Sequence, residues 1–332
     1  MTAVTVVAVT YNSETVIRAC LDSCRDYRVI IVDNASADGT VAEARRFPQA
    51  RVLTNDVNRG FAAAVNKAVR ECETDFVLLL NPDAVLLSSI QPLVESCKCE
   101  GVGGVAGQLV GQDARPQRGF GIRGFPTPAT LIFETLGLNR IFPWNGINRR
   151  YRQLDRNLAA AGEVDQPAGA FFLFRKQIWA QLGGFDEAFY PVWFEDVDFC
   201  KRIREAGYRI VYNPAVRAQH RGGHSVRALP GECRELYWYV SLLRYASKHF
   251  RPLGFRLVSA AVVPGAILRA IVSLVAGGGA AMAATYFRVM RFAGGCLLSG
   301  TLPDLPGPLR RQIAAISSLT GSGQVTPSAR NI

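Results

Sequence analysis

Residues 4–13 read V-T-V-V-A-V-T-Y-N-S, and residues 28–36 read R-V-I-I-V-D-N-A-S. Each is a β-branched apolar run that stops at polar, turn-forming residues. Apolar runs without polar alternation fit strands covered on both faces, as in a parallel sheet. Ser13 stands where an N-cap would open a helix through about Cys24. Asp38-Gly39-Thr40 opens another to about Phe47. The pattern then repeats. Arg51 to Thr54 reads as a third strand, and Asn58-Arg59-Gly60-Phe61 starts a helix to about Cys72. Asp75 to Leu80 reads as a fourth strand and ends at Asn81-Pro82-Asp83-Ala84. Strands alternating with helices at this spacing predict an α/β fold around a parallel sheet.

In such sheets ligands bind outside the carboxyl ends of the strands. Thr10-Tyr11-Asn12, Asp33-Asn34 and Asn81–Asp83 all fall at carboxyl ends. A nicotinamide-binding domain would need a glycine-rich turn after the first strand. The sequence there is T-Y-N-S-E, which sets the oxidoreductase class aside.

Further along, Gly103 to Leu109 reads as a strand. Arg115 to Arg156, rich in Arg, Phe, Pro and Asn, reads as an insertion of loops and short helices. Such a surface shapes an acceptor pocket, or is a loop with no ligand. Pro167 to Arg175 returns to strand-like sequence, with Gly169-Ala170 suited to a close backbone approach to a ligand. Val192-Trp193-Phe194 then precedes Glu195, Asp196 and Asp198, in a run that reads as helix and ends at Gly207, a good C-cap. Tyr208 to Tyr212 reads as a strand, Asn213-Pro214 as a turn, and His220 stands just before Gly222-Gly223. Two readings of Glu195-Asp196 stand together. Carboxylates complement the positive end of a helix. A carboxylate desolvated beside Trp193 and Phe194 would also have its pKa raised towards use as a general base.

The chain has 332 residues and a net charge of +11, unevenly spread. Residues 201–332 hold 18 Lys/Arg against 4 Asp/Glu, whereas residues 1–200 hold 20 against 23. A basic, apolar back half suggests a membrane-facing region. Its Arg residues are interleaved with Leu, Val and Ala, which fits lipid headgroups rather than nucleic acid. Leu257 to Leu268 and Ala270 to Phe287 are uncharged and separated by Arg269. A spanning helix needs about 20 apolar residues. The glycines 277–279 and the flanking Arg256, Arg269, Arg288 and Arg291 favour helices lying in the interface over a span or a homodimer contact. The eight cysteines form no paired zinc pattern and are expected as reduced thiols. Val4–Val9 is too short for a secretory signal, so the cytosolic side is expected. The expected divisions are 1–230, a helical membrane-associating region 231–302, and a flexible end 303–332.

Eight short motifs now stand in order: V-T-Y-N-S, V-D-N-A-S-A-D-G-T, N-R-G-F-A-A-A-V-N-K-A, L-L-N-P-D-A, G-A-F-F-L-F-R, G-G-F-D-E, W-F-E-D-V-D-F-C-K-R and H-R-G-G-H-S. Together they resemble the family-two inverting glycosyltransferases of the GT-A fold, in particular the bacterial rhamnosyltransferase-like group. The likeness runs from about Val4 to Ser225. It implies an enzyme at the cytoplasmic face of the inner membrane that builds cell-surface polysaccharide. The donor would be a nucleotide-diphospho-sugar, dTDP-L-rhamnose first, with UDP-hexose, UDP-galactofuranose or UDP-N-acetylhexosamine as alternatives. The acceptor would be a glycan, free or on a polyprenyl diphosphate.

The resemblance also implies roles. Thr10, Tyr11 and Asn12 would border the base and Asp33 would accept a hydrogen bond from it. Asn58, Gly60 and Asn66 would lie near the nucleotide. Asn81-Pro82-Asp83 occupies the place of the family's Asp-any-Asp motif, so Asp83 would bind a divalent metal, Mn²⁺ or Mg²⁺, with His220 as a second ligand. Asn81 brings only a neutral amide. Asp196 matches the general base, and Glu195 would orient it or bind the sugar. Arg175, Arg221, His224 and Ser225 would line the diphosphate, Gly169 would lie against the nucleotide-sugar, and Trp193 would stack on a sugar or belong to the core. Two readings of another class remain: a membrane-bound scaffold that keeps the fold without turnover, which Asn81 leaves open, and a sugar nucleotidyltransferase, whose phosphate loop is absent.

Overall fold

A computed structural model describes residues 4–223, 229–275 and 279–303. The strands are β1 (Val4–Thr10), β2 (Arg28–Asp33), β3 (Ala50–Thr54), β4 (Phe76–Leu80), β5 (Ala84–Leu86), β6 (Val102–Val110), β7 (Ile122–Arg123), β8 (Gly162–Val164), β9 (Gln166–Pro167), β10 (Phe171–Arg175) and β11 (Arg209–His220). The main sheet runs β3-β2-β1-β4-β10-β6-β11-β5, with β8 added beside β11, and β7 pairs with β9 in a separate ribbon. Strands β1 to β4 are mutually parallel, so Thr10 and Asp33 end side by side. The apolar runs of β1, β2 and β4 are buried on both faces, as α/β packing requires, whereas β3 at the sheet edge is partly exposed.

Two readings of strands change. β10 lies antiparallel between β4 and β6. Its last residue, Arg175, therefore pairs with Phe76 at the amino end of β4. The expected turn at Asn213-Pro214 is instead an irregularity inside one long strand, β11, whose register against β6 shifts between Tyr212 and Arg217. Proline lacks the ladder donor, and a bulge is where a sheet tolerates it. The residues after the shift carry β11 on to His220.

The helices are α1 (Glu14–Ser23), α2 (Thr40–Ala44), α3 (Phe61–Arg70), α4 (Gln91–Lys98), α5 (Pro128–Thr135), α6 (Leu138–Ile141), α7 (Gly146–Tyr151), α8 (Lys176–Gln181), α9 (Glu195–Glu205), α10 (Gly231–His249), α11 (Pro252–Val275) and α12 (Gly279–Ser299). The insertion expected at 115–156 thus holds β7 and three short helices. Ser13 precedes α1 but makes no side-chain cap; its hydroxyl is spent on Tyr11.

Two apolar cores fill the two faces of the sheet. A third joins α10, α11 and α12 to Leu131, Phe189, Phe194 and Val197. The helices after residue 230 therefore pack directly on the start of α9. Arg269, expected to face lipid headgroups, instead donates to the carbonyls of Thr135 and Glu134 at the end of α5. The Glu134 carbonyl also accepts from the Gly137 N–H at 3.2 Å, and a cation at this helix end complements its dipole. Helix α11 is the one described helix long and apolar enough to cross a membrane, with mean hydropathy 2.0 over its best window. The end of α11 exposes Ile271, Val272, Leu274 and Val275, and Phe287 is exposed on α12. Of the glycines 277–279, the first two lie outside the described residues, as do 304–332 of the expected flexible end.

Candidate active site

A cavity of about 460 Å³ opens at the carboxyl ends of β1 and β4. Tyr11, Asn34, Asn58, Asn81 and Asp83 line it from the parallel sheet, Gly169 from the turn before β10, and Glu195 and Asp196 from the start of α9. Trp238 of α10 closes it. Its size suits a small-molecule ligand.

The loops after β1 and β2 are tied to each other. Thr10 Oγ1 donates to Asp33 Oδ1 at 2.8 Å, and Ser36 donates to both Asp33 oxygens through its hydroxyl and its N–H. Asn12 accepts from the Ala37 N–H at 2.8 Å. Asp33 is only 1% exposed. Its side chain thus shapes the rim, while Asn34 and Tyr11 are the neighbours that reach the cavity. Gly60 has φ +82, and a Cβ there would meet the Pro191 carbonyl at 2.9 Å. Its lack of a side chain serves a close approach to the 190–191 segment. Asn58 Oδ1 accepts from the Gly60 N–H at 2.9 Å. Asn66 lies elsewhere: it is buried and holds Phe185 and Trp179.

Asp83 and His220 meet at one end of the cavity, with His220 Nε2 3.4 Å from Asp83 Oδ1. Asp83 Oδ2 accepts from the Gly222 N–H at 3.0 Å. On the other side of the ring, Gln117 fixes the tautomer. Its Nε2 donates to the His220 carbonyl at 2.7 Å, which turns its Oε1 towards Nδ1 at 3.1 Å. Nδ1 must then carry a proton, and the Nε2 edge faces a carboxylate oxygen. Two such groups face each other stably with a cation between them, a proton or a metal ion. Asn81 adds an amide 3.5 Å from Nε2. Among the described residues no group of three or more His, Cys, Asp or Glu is placed to hold a metal ion. One carboxylate and one imidazole fit a cation whose other positions go to a ligand's oxygens, whereas the Asn81 atom nearest Nε2 is an N–H donor.

The α9 carboxylates Glu195 and Asp196 line the same cavity. Trp193 and Phe194 have φ +80 and +69, two consecutive left-handed side-chain-bearing residues. Such strain costs on the order of 1–3 kcal/mol each and gathers at functional sites. It turns the chain sharply so that Glu195 and Asp196 open the helix at the cavity wall. Asp196 is half-buried; its Oδ2 accepts from the Gly169 N–H at 2.9 Å and its Oδ1 from the Val197 N–H at 2.8 Å. Glu195 is the desolvated member of the pair. Burial first, and the adjacent Asp196 charge second, push its carboxyl well above the usual range. Its Oε2 is buried and has no hydrogen-bond partner among the described residues. Trp193 lines the cavity and also packs against the third core.

Asp198 faces away from the cavity. Burial alone would raise its pKa, but the hydrogen bond from His249 and the charges of Arg202 and Lys248 outweigh it, to about 2. Arg202, Lys248 and His249 each lie 2.8 Å from it.

Arg175 does not reach the cavity. Because β10 is antiparallel, its guanidinium sits at the opposite end of the sheet, donating to the carbonyls of Val102 and Cys99. Arg221 has an exposed side chain beside Asp83, whose carbonyl accepts its N–H at 3.2 Å. His224 and Ser225 lie outside the described residues. The sequence reading missed Arg123, Gln166, Tyr190 and Trp238, all on the cavity wall. None belongs to a recognisable motif; the pairing of β7 with β9 brings Arg123 and Gln166 there, the segment before α9 brings Tyr190, and the docking of α10 brings Trp238.

The chain is 28% identical over 262 residues to the N-acetylglucosaminyl-diphospho-decaprenol L-rhamnosyltransferase of Mycobacterium tuberculosis strain H37Rv, covering 74% of this chain and 84% of that one. It is 23% identical over 256 residues to rhamnosyltransferase WbbL of Escherichia coli strain K12, covering 73% and 92%. Among solved structures, GalNAc-T7 with UDP, GalNAc and Mn²⁺ shares the fold at TM-score 0.50 and 14% identity, over 74% of this chain and 50% of that one. The family model Glycosyl transferase family 2 matches residues 5–182, and this chain, a mixed α/β protein of GT-A type, belongs to that family.

Proposed function

We propose that this glycosyltransferase moves L-rhamnose from dTDP-rhamnose, with inversion, onto a hydroxyl of a polyprenyl-diphosphate-linked glycan. The observation that carries the reading is one cavity lined by Asp83, His220 and Asp196 together. The choice of sugar and acceptor is supported by relatives named as rhamnosyltransferases, one of them for a diphospho-decaprenol acceptor.

In this reading Asp196 is the general base. Two backbone N–H groups orient its carboxylate. It takes the proton of the acceptor hydroxyl as that oxygen attacks the anomeric carbon, while the bond to the diphosphate oxygen breaks on the opposite face. Glu195, held towards its neutral form, is suited to donate a hydrogen bond to a sugar oxygen. Asp83 and His220 Nε2 would hold Mn²⁺ or Mg²⁺, which would offset the charge developing on the departing nucleoside diphosphate. Gln117 keeps the imidazole turned for that role. Tyr11, Asn34 and Asn58 border the nucleotide.

The enzyme would work at the cytoplasmic face of the inner membrane, with the apolar ends of α11 and α12 in the lipid interface. The exposed Ile271, Val272, Leu274, Val275 and Phe287 support this.

Calorimetric binding of dTDP-rhamnose, UDP-glucose, UDP-galactofuranose and UDP-N-acetylglucosamine, each with and without Mn²⁺, tests the donor. Selective, metal-dependent binding of dTDP-rhamnose is expected. Preference for a UDP-sugar would overturn the rhamnosyl assignment, and binding indifferent to metal would overturn the roles given to Asp83 and His220.

A further inference from the structure

The ribbon β7–β9 places Arg123 directly opposite Gln166. Directly opposed residues of an antiparallel pair carry their side chains on one face, about 5 Å apart. Both side chains line the cavity. Both also carry buried polar atoms that no described residue satisfies: Nε of Arg123, and Nε2 and Oε1 of Gln166. Gln166 is 1% exposed. An unmade hydrogen bond at a buried group costs about 1–3 kcal/mol, and more at a charge. Three such atoms on two adjacent side chains are a preformed demand for a ligand.

The chemistry of that ligand follows from the pair. The Arg123 guanidinium is held between the rings of Phe120 and Tyr151, at 5.7 and 5.8 Å, and Tyr151 Oη lies 3.2 Å from Nη1. Among the described residues it has no ion-pair partner. The carboxylates whose charge reaches it are Asp196 and Glu134. Asp196 is held by two backbone N–H groups, and Glu134 is paired with Arg152 at 2.8 Å. A rigidly held guanidinium of this kind suits a phosphoryl group. The amide beside it offers one donor for a second phosphoryl oxygen and one acceptor for a hydroxyl. Phe120 also stacks on His220 at 5.3 Å, so Arg123 stands one ring away from the Asp83–His220 end.

We infer that Arg123 and Gln166 form a binding site for a phosphoryl-linked sugar. Arg123 takes the phosphoryl oxygens, and Gln166 bridges the phosphate and a sugar hydroxyl. The inference deepens the proposed function and rests on its reading of the cavity as the substrate site. The same chemistry has two sources, the donor's diphosphate and the acceptor's diphosphate.

The test is calorimetry on the full chain with three probes: inorganic pyrophosphate, dTDP, and a soluble short-chain prenyl diphosphate. The wild type is compared with Arg123→Gln and Gln166→Glu. Removing a charge-assisted hydrogen bond lowers affinity about tenfold to a hundredfold. The second variant guards against simple misfolding. It supplies Arg123 with a carboxylate partner, so it should melt at a higher temperature while binding phosphoryl probes at least as poorly as the first. Loss confined to dTDP among the two organic probes assigns the site to the donor, and loss confined to the prenyl diphosphate assigns it to the acceptor. Arg123-dependent binding of pyrophosphate, with no preference for dTDP-rhamnose over UDP-sugars, would sustain this site while removing the rhamnosyl donor. Unchanged affinity of all probes in a folded Gln166→Glu variant, or no binding of any probe by the wild type, overturns the inference.

Discussion

The N–H of Gly169 donates to Asp196 Oδ2 at 2.9 Å, joining the turn before β10 to the first turn of α9. A Cβ at residue 169 would stand 3.2 Å from the Asp196 Cβ and 3.4 Å from its Oδ2. The Asp196 carboxylate is therefore held against a backbone where a side chain at residue 169 would press on it.

Two substitutions separate the chemistry of Asp196 from its placement. Asp196→Asn keeps the shape and loses the basic oxygen, so transfer should fall by about 100-fold or more while donor affinity stays within about twofold. Gly169→Ala keeps the carboxylate but pushes it by a few tenths of an ångström. Its kcat should fall by about tenfold, with donor affinity again kept. Equal kcat for Asp196→Asn and wild type, measured with saturating donor, would remove Asp196 as base.

Glu195 makes the opposite contribution to stability from most carboxylates. Its folded-state pKa is raised, so the stability it brings is complete below the unfolded value, 4.5, and is lost as pH rises through the folded one. Glu195→Gln removes that loss and should raise the melting temperature at pH 8 more than at pH 5. The same substitution should lower transfer. A melting temperature that drops equally at both pH values would contradict the assignment.

Asp198 behaves in the usual direction. Its pKa falls from 3.8 to about 2 in the fold, so its stabilisation is present above pH 4 and disappears between about pH 4 and 2. The side chain is fully buried, and the shift corresponds to about 2 kcal/mol. Lys248 and His249 belong to α10, so this carboxylate fastens the C-terminal helices to α9. Asp198→Ala leaves those cations facing an empty buried site and should cost about 3–5 kcal/mol. Urea unfolding at pH 7 measures it; a loss under 1 kcal/mol would show that the cations find other partners.

The sheet and its ligand end were legible because apolar runs ending in Thr10, Asp33 and Asn81 need only local periodicity to be read. The carboxylate pair was legible because it sits in a distinctive motif. Strand direction was not local, and Arg175 was misplaced because nothing in G-A-F-F-L-F-R distinguishes an antiparallel strand from a parallel one. Which of Glu195 and Asp196 is desolvated depends on a left-handed turn at Trp193-Phe194 that neither residue type favours. Arg123 and Gln166 lie 43 positions apart by numbering, and only the ribbon joins them. Arg269 read as an interfacial cation, since its partner, the end of α5, comes from far along the chain.

The metal role proposed for Asp83 and His220 gives a further test. Chelation should abolish transfer, and Mn²⁺ or Mg²⁺ should restore it. His220→Ala and Asp83→Asn should each weaken metal-dependent donor binding by about 10-fold to 100-fold. Gln117→Leu, which removes a hydrogen bond to the ligand's far nitrogen, should do so by about 10-fold. Donor affinity that responds to Asp83→Asn but not to His220→Ala would leave Asp83 as the one protein ligand.

The exposed apolar end of α11 and α12 gives the last test. Leu274 and Val275 are 58% and 84% exposed, and neither belongs to the third core. Replacing both with Asp should leave the melting temperature within about 2 °C, since exposed positions away from packing change stability little. If these side chains enter a bilayer, the double variant should lose flotation with liposomes, because each buried apolar side chain contributes about 1.5–3 kcal/mol and each carboxylate resists leaving water. Liposomes containing phosphatidylglycerol should bind the wild type more tightly than neutral ones, since residues 201–332 carry 18 Lys/Arg against 4 Asp/Glu. A variant that floats as well as the wild type would remove this end as the membrane contact. A wild type that stays off all vesicles but sediments as a dimer, with the variant monomeric, would make the same surface a contact between two copies of the chain.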